Sequence, residues 1–211
     1  MSKAYDVYLT LLLVSLKINL EILCEATQTI RGRTLQKLNL PKDYEAFHDE
    51  DVPELEQALF NEVRRCNLCM EFLLRIHEDM KHIFSMTTLL QTAATLFMVA
   101  SNIIIVSTLS TAQPEFWCIV HWVIACIIEL HMICHFGSGV TEMCFYFRRT
   151  TYECEWYSCS KRFKTCMLMM MIRMDRPMYL TAGDFLPLTH NTTISVVRAA
   201  YSYAAMFRNV G

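Results

Sequence analysis

One stretch of this 211-residue chain contains no charged side chain at all. From His82 to Pro114, 33 residues pass without an Asp, Glu, Lys or Arg. A helix crosses the hydrocarbon core of a bilayer with about 20 residues, so this run is longer than one span needs. The mean hydropathy of the chain is +0.26 and only 19% of its residues are charged. A compact soluble domain covers itself with more charge, and we therefore expect an integral membrane protein.

The balance of charges and the placement of the cysteines exclude two further classes of protein. Lys and Arg do not outnumber Asp and Glu, and the formal net charge of -2 lacks the basic excess of a nucleic-acid binder. The ten cysteines are scattered through apolar and polar segments alike, unlike the framework of a small disulfide-rich secreted domain. We interpret them as small buried or reduced thiols.

Four segments have the apolar character of membrane spans, namely residues 5–23, 83–109, 116–136 and 187–207. The connections 24–82 and 137–185 contain eight and seven Lys or Arg residues, whereas the short link 110–115 contains none. The positive-inside rule places the two long connections in the cytosol and both chain ends outside. The expected fold class is an all-α, polytopic membrane helix bundle with long cytosolic helix extensions.

A single long helix is expected over residues 54–109. Pro53 follows three acidic residues, which is typical of a helix start, and no later Gly or Pro interrupts the segment. Apolar residues recur every three or four positions along its first half, so that half needs a partner helix. The partner predicted from the sequence is 163–174. The recurring residues are Leu55, Leu59, Val63, Cys66, Met70, Leu73, Ile76, Met80 and Ile83.

The residues most like an enzyme centre are Glu129, His131 and His135. Two histidines four positions apart share a helix face, which suits a metal ion. However, no Glu lies between them to act as the general base of a zinc protease. We interpret all three as packing or interfacial groups and expect no catalytic residue and no metal ligand. A metal-dependent membrane enzyme is kept as an alternative.

The last span contains Arg198 near its middle. A charge at the centre of a lipid-facing helix costs at least about 2.5 kcal/mol. Two interpretations stay open: a buried helix whose arginine reaches the interface, or a helix that lines an aqueous path.

The C-terminal third contains an ordered set of short motifs. Tyr152-Glu-Cys-Glu-Trp156 is followed by Arg176-Pro177, Ala182-Gly-Asp-Phe185 and Arg198-Ala-Ala-Tyr201-Ser-Tyr203. In identity and spacing this set resembles the terminal signature of insect odorant receptors. The ending Tyr201-Ser202-Tyr203 is similar to the odorant-receptor form, and a gustatory-type receptor is the alternative within the same class of channels.

The resemblance implies a seven-helix receptor of which this chain covers helices four to seven, so we expect a truncated chain. The implied segments are a span at 1–23 (helix 4) with a cytosolic connection at 24–53, a long helix at 54–110 (helix 5), a span with its extension at 114–150 (helix 6), a cytosolic anchor at 151–186 and a pore-lining span at 187–211 (both helix 7).

By the same resemblance, the chain forms a heterotetramer with an olfactory co-receptor in the plasma membrane of olfactory sensory neurons. The assembly is implied to be an odour-gated nonselective cation channel that contacts lipid and small volatile odorants and needs no cofactor. The gate position falls on Met206, with Val210 one turn further on; Arg198 and Asn209 are the other pore residues implied.

The resemblance also implies where an odorant binds, in the outer half of helices four and six. On helix four the implied lining is Tyr5, Tyr8, Leu12 and Ser15, which share a face. On helix six the implied lining is Phe116, Trp117, Val120 and Val123. Aromatic and aliphatic linings suit small volatile ligands. Packing between helices is the simpler role for each of these residues.

Overall fold

The computed structural model describes residues 2–41, 52–110, 113–176, 178–183 and 186–210. Helices make up most of this part of the chain, as the expected all-α class requires. They are α1 (Ser2–Gln28), α2 (Ile30–Lys37), α3 (Pro53–Thr108), α4 (Pro114–Glu153), α5 (Lys161–Met174) and α6 (His190–Val210). A short antiparallel hairpin of β1 (Thr181–Ala182) and β2 (Leu186–Pro187) separates α5 from α6.

The long helix expected from the sequence is present as α3, which runs unbroken for 56 residues. Pro53 occupies its first position, where the missing N–H costs no hydrogen bond. Glu54 and Glu56 follow in the first turn, where carboxylates interact favourably with the positive end of the helix dipole.

Within the described residues, three helices are long and apolar enough to cross a membrane: those at Ala4–Gln28, Pro53–Ser107 and Pro114–Glu153. The protein is thus a multi-pass membrane protein. The fourth expected span, α6, does not reach the same hydropathy, because its first half contains residues such as Asn191, Ser195 and Arg198. Polar residues therefore lie within this expected span, at exposed positions of the helix.

The chain divides into two compact units, and α1, α3 and α4 each contribute residues to both. The first unit comprises Met1–Val14, Asp79–Gly139 and Tyr179–Gly211. A hydrophobic cluster in this unit joins Val99 and Ala100 of α3 to Ala200 of α6. Apolar residues of α3 and α4 surround this cluster: Ile103, Val123, Cys126 and Ile127. Small residues at its centre let the helix backbones approach closely, as is usual between membrane helices.

The hairpin sets the start of α6. Gly183 has φ 63°, a conformation that glycine adopts without strain, and its N–H donates to the carbonyl of Ser85 at 3.1 Å. Pro187 pairs with Thr181 across the hairpin instead of beginning the helix, so α6 starts three residues later than expected. Thr192 Oγ1 accepts a hydrogen bond from the Thr189 N–H at 3.3 Å and caps the new start.

The second unit comprises Ser15–Glu78 and Val140–Met178. Its core contains the predicted stripe of α3 as far as Leu73, in which Leu55 and Val63 are fully buried. The predicted partner helix is present as α5, with Phe163 and Met170 buried. Ser160 caps α5 by accepting from the Phe163 N–H at 3.3 Å.

The last residue of the predicted stripe differs from the rest. Ile83 is 66% exposed and belongs to the first unit. The helical pattern predicts burial in the first half of α3, where polar residues separate the apolar ones. In the charge-free run the same pattern no longer predicts burial, because residues that face lipid are apolar as well.

Candidate functional site

The first unit contains an open cavity of about 510 Å³ between α1 and α4, in which side chains such as Leu11 and Trp122 are more than half exposed. This volume lies within the range that holds small organic ligands, roughly 300–1,000 Å³. Apolar side chains form most of its walls. Its lining is Asp6, Val7, Thr10 and Leu11 from α1, and Trp122, Ala125, Cys126, Ile128, Glu129, Met132 and Ile133 from α4.

Two carboxylates interrupt the apolar walls. Asp6 is 7% exposed, and its Oδ1 accepts a hydrogen bond from Gln91 Nε2 of α3 at 2.7 Å. A buried carboxylate needs such a partner, because an unpaired charge in an apolar setting is very costly. Glu129 enters from α4 and is half-buried. A cavity of this kind binds an apolar molecule and orients it through one or two hydrogen bonds.

The odorant-lining residues expected on α1 lie elsewhere. Tyr5 OH donates to the Phe84 carbonyl at 3.3 Å, and the ring centroids of Tyr5 and Tyr8 lie 5.4 and 6.2 Å from that of Phe84. Leu12 is half-buried, and Ser15 belongs to the second unit. The described lining of the cavity includes none of these four residues. Their role in ligand binding stays a prediction.

On α4 the expected residues also lie outside the cavity lining. Phe116 and Trp117 pack edge to face with ring centroids 5.4 Å apart, and Val123 lies against the α3–α6 cluster. Val120 is half-buried. The positions that do line the cavity, from Trp122 onwards, lie deeper along the helix. The sequence signals for this lining are Asp6 and Glu129, because each is a carboxylate with apolar residues on both sides.

The expected pore helix has two distinct faces. One face is buried and ends in Ala200 and Ala204, whose side chains are 0% and 4% exposed. The opposite face exposes a row of polar side chains one helical turn apart: Asn191, Ser195, Arg198 and Ser202. Met206 is 53% exposed. The side chains of Asn209 and Val210 lie outside the part of the chain that the structure describes.

The enzyme-like group does not assemble. Glu129 lies on the cavity, whereas His131 and His135 stack on each other with ring centroids 6.2 Å apart. Among the described residues, no three potential ligands are arranged to hold a metal ion. The histidines instead meet His190, the first residue of α6.

Comparison with known families decides the identity of the chain. The family model described as 7tm Odorant receptor matches residues 1–201. The chain belongs to the seven-transmembrane odorant receptor family. The resemblance seen in the C-terminal motifs is thereby confirmed, and the receptor is an odorant receptor by family.

Relatives of this receptor come from Drosophila melanogaster. Odorant receptor 85b is 24% identical over 144 residues, which cover 66% of this chain and 36% of the relative. Odorant receptor 22c is 25% identical over 166 residues, covering 78% of this chain and 39% of the relative. The chain thus spans about two fifths of the length of these curated relatives.

A solved structure shares the fold of this receptor. It is the insect olfactory receptor OR5 from Machilis hrabei in complex with eugenol, with a TM-score of 0.64 and 10% identity. The match covers 99% of this chain and 69% of that one. At so low an identity the similarity establishes the fold, which is that of an insect odorant receptor.

Proposed function

We propose that this chain is a subunit of an odour-gated, nonselective cation channel in the plasma membrane of olfactory sensory neurons. The observation that carries the proposal is the cavity of about 510 Å³ between α1 and α4, apolar except for a few polar groups. The structurally similar insect receptor is described in complex with eugenol, a small aromatic molecule with a polar end. A molecule of that size and chemistry suits this cavity.

The proposed ligand is a small volatile odorant with an apolar body and one hydrogen-bond donor. The donor would face Asp6 or Glu129, whose carboxylate oxygens accept hydrogen bonds. Trp122 and Met132 offer an aromatic face and a flexible thioether to the body of the ligand. The residues expected by resemblance, such as Tyr8 and Trp117, remain proposed contacts in the outer part of the same helices.

The polar face of α6 supports the channel part of the proposal. A membrane helix that exposes Ser195, Arg198 and Ser202 along one face is stable only if that face contacts water or another polar surface. Several copies of such a face around one axis enclose an aqueous path. Met206 would narrow the path with an apolar side chain, with Val210 and Asn209 as the further proposed positions.

The second unit supports assembly with other subunits. Large apolar side chains remain exposed on α3 and α5, among them Phe72 at 62%, Leu168 at 53% and Ile172 at 63%. In the cytosol, where we place this unit, such surfaces are covered by a partner. The proposed partner is the olfactory co-receptor in a heterotetramer.

Recording from cells tests the proposed function. Cells expressing the co-receptor with a full-length receptor that contains this chain as helices four to seven are exposed to a panel of volatile compounds, and their current is compared with that of cells expressing the co-receptor alone. We expect at least one compound to evoke a cation current only in the presence of the full-length receptor. The 211-residue chain with the co-receptor should give no such current, because two of the four helices implied to form the odorant pocket are absent from it. No difference between the full-length receptor with the co-receptor and the co-receptor alone, with the receptor present at the cell surface, would contradict the proposal.

A further inference from the structure

Three histidines that are far apart in the sequence lie together in the first unit. His131 and His135 are one turn apart on α4, and His190 begins α6. The ring centroid of His190 lies 5.7 Å from that of His131 and 5.3 Å from that of His135, and the two α4 rings are 6.2 Å apart. All three side chains are exposed.

Backbone contacts hold His190 in this position. Gly137 of α4 passes so close to Leu188 that an added Cβ would lie 3.0 Å from the Leu188 carbonyl oxygen. One residue further on, Ser138 Oγ accepts a hydrogen bond from the His190 N–H at 3.2 Å. Neither contact involves the imidazole, so the backbone alone brings His190 to α4, and its ring contacts those of His131 and His135.

From these distances we infer a binding site for a divalent transition-metal ion, such as Zn²⁺, formed by His131, His135 and His190. An ion bound to one nitrogen of each ring lies about 2.0–2.1 Å from that nitrogen. In tetrahedral geometry this arrangement separates the ring centroids by about 5 to 5.5 Å. The observed separations exceed that range by no more than about 1 Å.

The site is not preassembled, because the rings are stacked or tilted against one another and no three ligands among the described residues converge. Binding therefore requires rotation of the three exposed side chains about χ1 and χ2, starting from ring-centroid separations of 5.3 to 6.2 Å. Exposed side chains change rotamer within nanoseconds.

The donor set selects the class of ion. Three neutral imidazoles suit Zn²⁺, Cu²⁺ and Ni²⁺, whereas Mg²⁺ and Ca²⁺ prefer oxygen ligands. Two histidines at i and i+4 of one helix form half of such a site, and the third comes from a second helix. Glu129 is two positions from His131 and lines the cavity, so it does not join the site. The fourth ligand position is left to water.

A bound ion would fasten the first turn of α6 to α4. An effect of the bound ion on conduction rests on the proposed function, because it requires α6 to line a pore. Binding itself does not depend on odorants or on conduction, and its measurement is therefore independent of the channel.

The test is Zn²⁺ binding to purified chain in detergent. Cys69 and Cys118 are exposed thiols that bind Zn²⁺ as well, so the measurement uses the Cys69→Ser, Cys118→Ser background. We expect one Zn²⁺ per chain by calorimetry and by metal analysis after gel filtration. His131→Gln, His135→Gln and His190→Gln should each weaken binding by more than about 100-fold, since even residues behind the ligands contribute 10- to 100-fold.

His121→Gln is the matched control, because His121 is an exposed histidine of α4 outside the cluster and its loss should change nothing. His190→Asp supplies another ligand at the same place and should retain most of the binding if the variant folds. Binding that survives His190→Gln would reduce the site to a pair on α4 and overturn the inference. Absence of Zn²⁺ binding to the chain in which all three histidines are intact would overturn the inference as well.

Discussion

At the scale of single residues, two glycines in helices show how local space decides the effect of a methyl group. An alanine Cβ at Gly137 would lie 3.0 Å from the backbone oxygen of Leu188, which has little freedom to move. An alanine Cβ at Gly32 in α2 would meet nothing within 4 Å. The two substitutions are chemically identical and therefore control for each other.

We expect Gly137→Ala to lower the free energy of unfolding by about 1–3 kcal/mol, as overpacking does. Gly32→Ala should raise it by about 0.5–1 kcal/mol, because alanine loses less backbone entropy in a helix. Thermal unfolding of the purified chain in detergent measures both. A destabilised Gly32→Ala variant, or an unchanged Gly137→Ala variant, would show that these contacts are not as described.

Glu62 forms ion pairs with three cationic side chains of the second unit. Its side chain is 11% exposed, and its carboxylate pairs with Lys37, with Arg65 at 3.5 Å and with Arg33 at 4.0 Å. The hydrogen bond from Lys37 lowers the pKa of Glu62 below its ordinary value of 4.5, and the charges of the three cations add to the effect. Glu62 precedes the charge-free run of α3 and so lies outside the expected span.

Because the folded-state pKa is the lower one, the carboxylate stabilises the fold above the ordinary pKa. That contribution disappears as the pH falls through the folded-state value. We expect Glu62→Gln to lower the melting temperature at pH 7 by an amount equivalent to about 1.5–3 kcal/mol, the usual value of hydrogen bonds to charged groups. Below pH 4 the difference from the parent chain should shrink. Glu71→Gln, at an exposed carboxylate of the same helix, should have little effect at either pH.

At the scale of elements, the sequence predicts the helices better than their orientation. The unbroken α3 and its partner α5 follow from apolar spacing and from the lack of Gly and Pro within α3. The hairpin before α6 does not follow, because two-residue strands leave no periodic pattern. Its only sequence signals are Gly183 and Pro187.

The face that borders the cavity was not predictable from hydropathy. The resemblance to insect odorant receptors implies a lining that includes Tyr5 and Tyr8, which stays a prediction, whereas Asp6, Val7, Thr10 and Leu11 line the cavity described in this structure. Lipid, a neighbouring helix and an odorant cavity are all apolar surroundings, so the hydropathy of a helix that is apolar all round does not indicate which face borders the cavity. Asp6 does indicate that face, because a carboxylate in a span faces a cavity or a polar partner.

The two faces of α6 give a prediction for the element as a whole. If its polar face contacts water, Ser202→Cys in native membranes should react with a charged, membrane-impermeant maleimide. Ala204→Cys, which is buried, and Phe97→Cys, which is exposed on α3 in an apolar span, should not. Labelling is measured above that of the unsubstituted chain. Equal labelling of Ser202→Cys and Phe97→Cys would place the polar face of α6 away from water.

At the scale of the whole molecule, the exposed apolar residues of the second unit predict assembly. Phe72→Glu should remove most of the co-purification of the chain with the olfactory co-receptor, because a charge replaces a large apolar side chain that is 62% exposed. Arg64→Glu, at an exposed charged position of the same helix, is the control. Co-purification that is unchanged by Phe72→Glu would remove this surface from the interface.

If an odorant binds in the cavity between α1 and α4, a large side chain placed in the cavity should weaken the response, and one pair of variants tests this. Ala125 lines the cavity and its neighbour Ile124 does not, although both belong to the same turn of α4. The concentration of odorant that gives half-maximal current is measured for each tryptophan variant of a full-length receptor that contains this chain, in cells that also express the co-receptor. We predict that Ala125→Trp fills the cavity and raises this concentration by about 10- to 100-fold, while Ile124→Trp leaves it unchanged. Unchanged sensitivity in Ala125→Trp, with both variants equally present at the cell surface, would contradict the account.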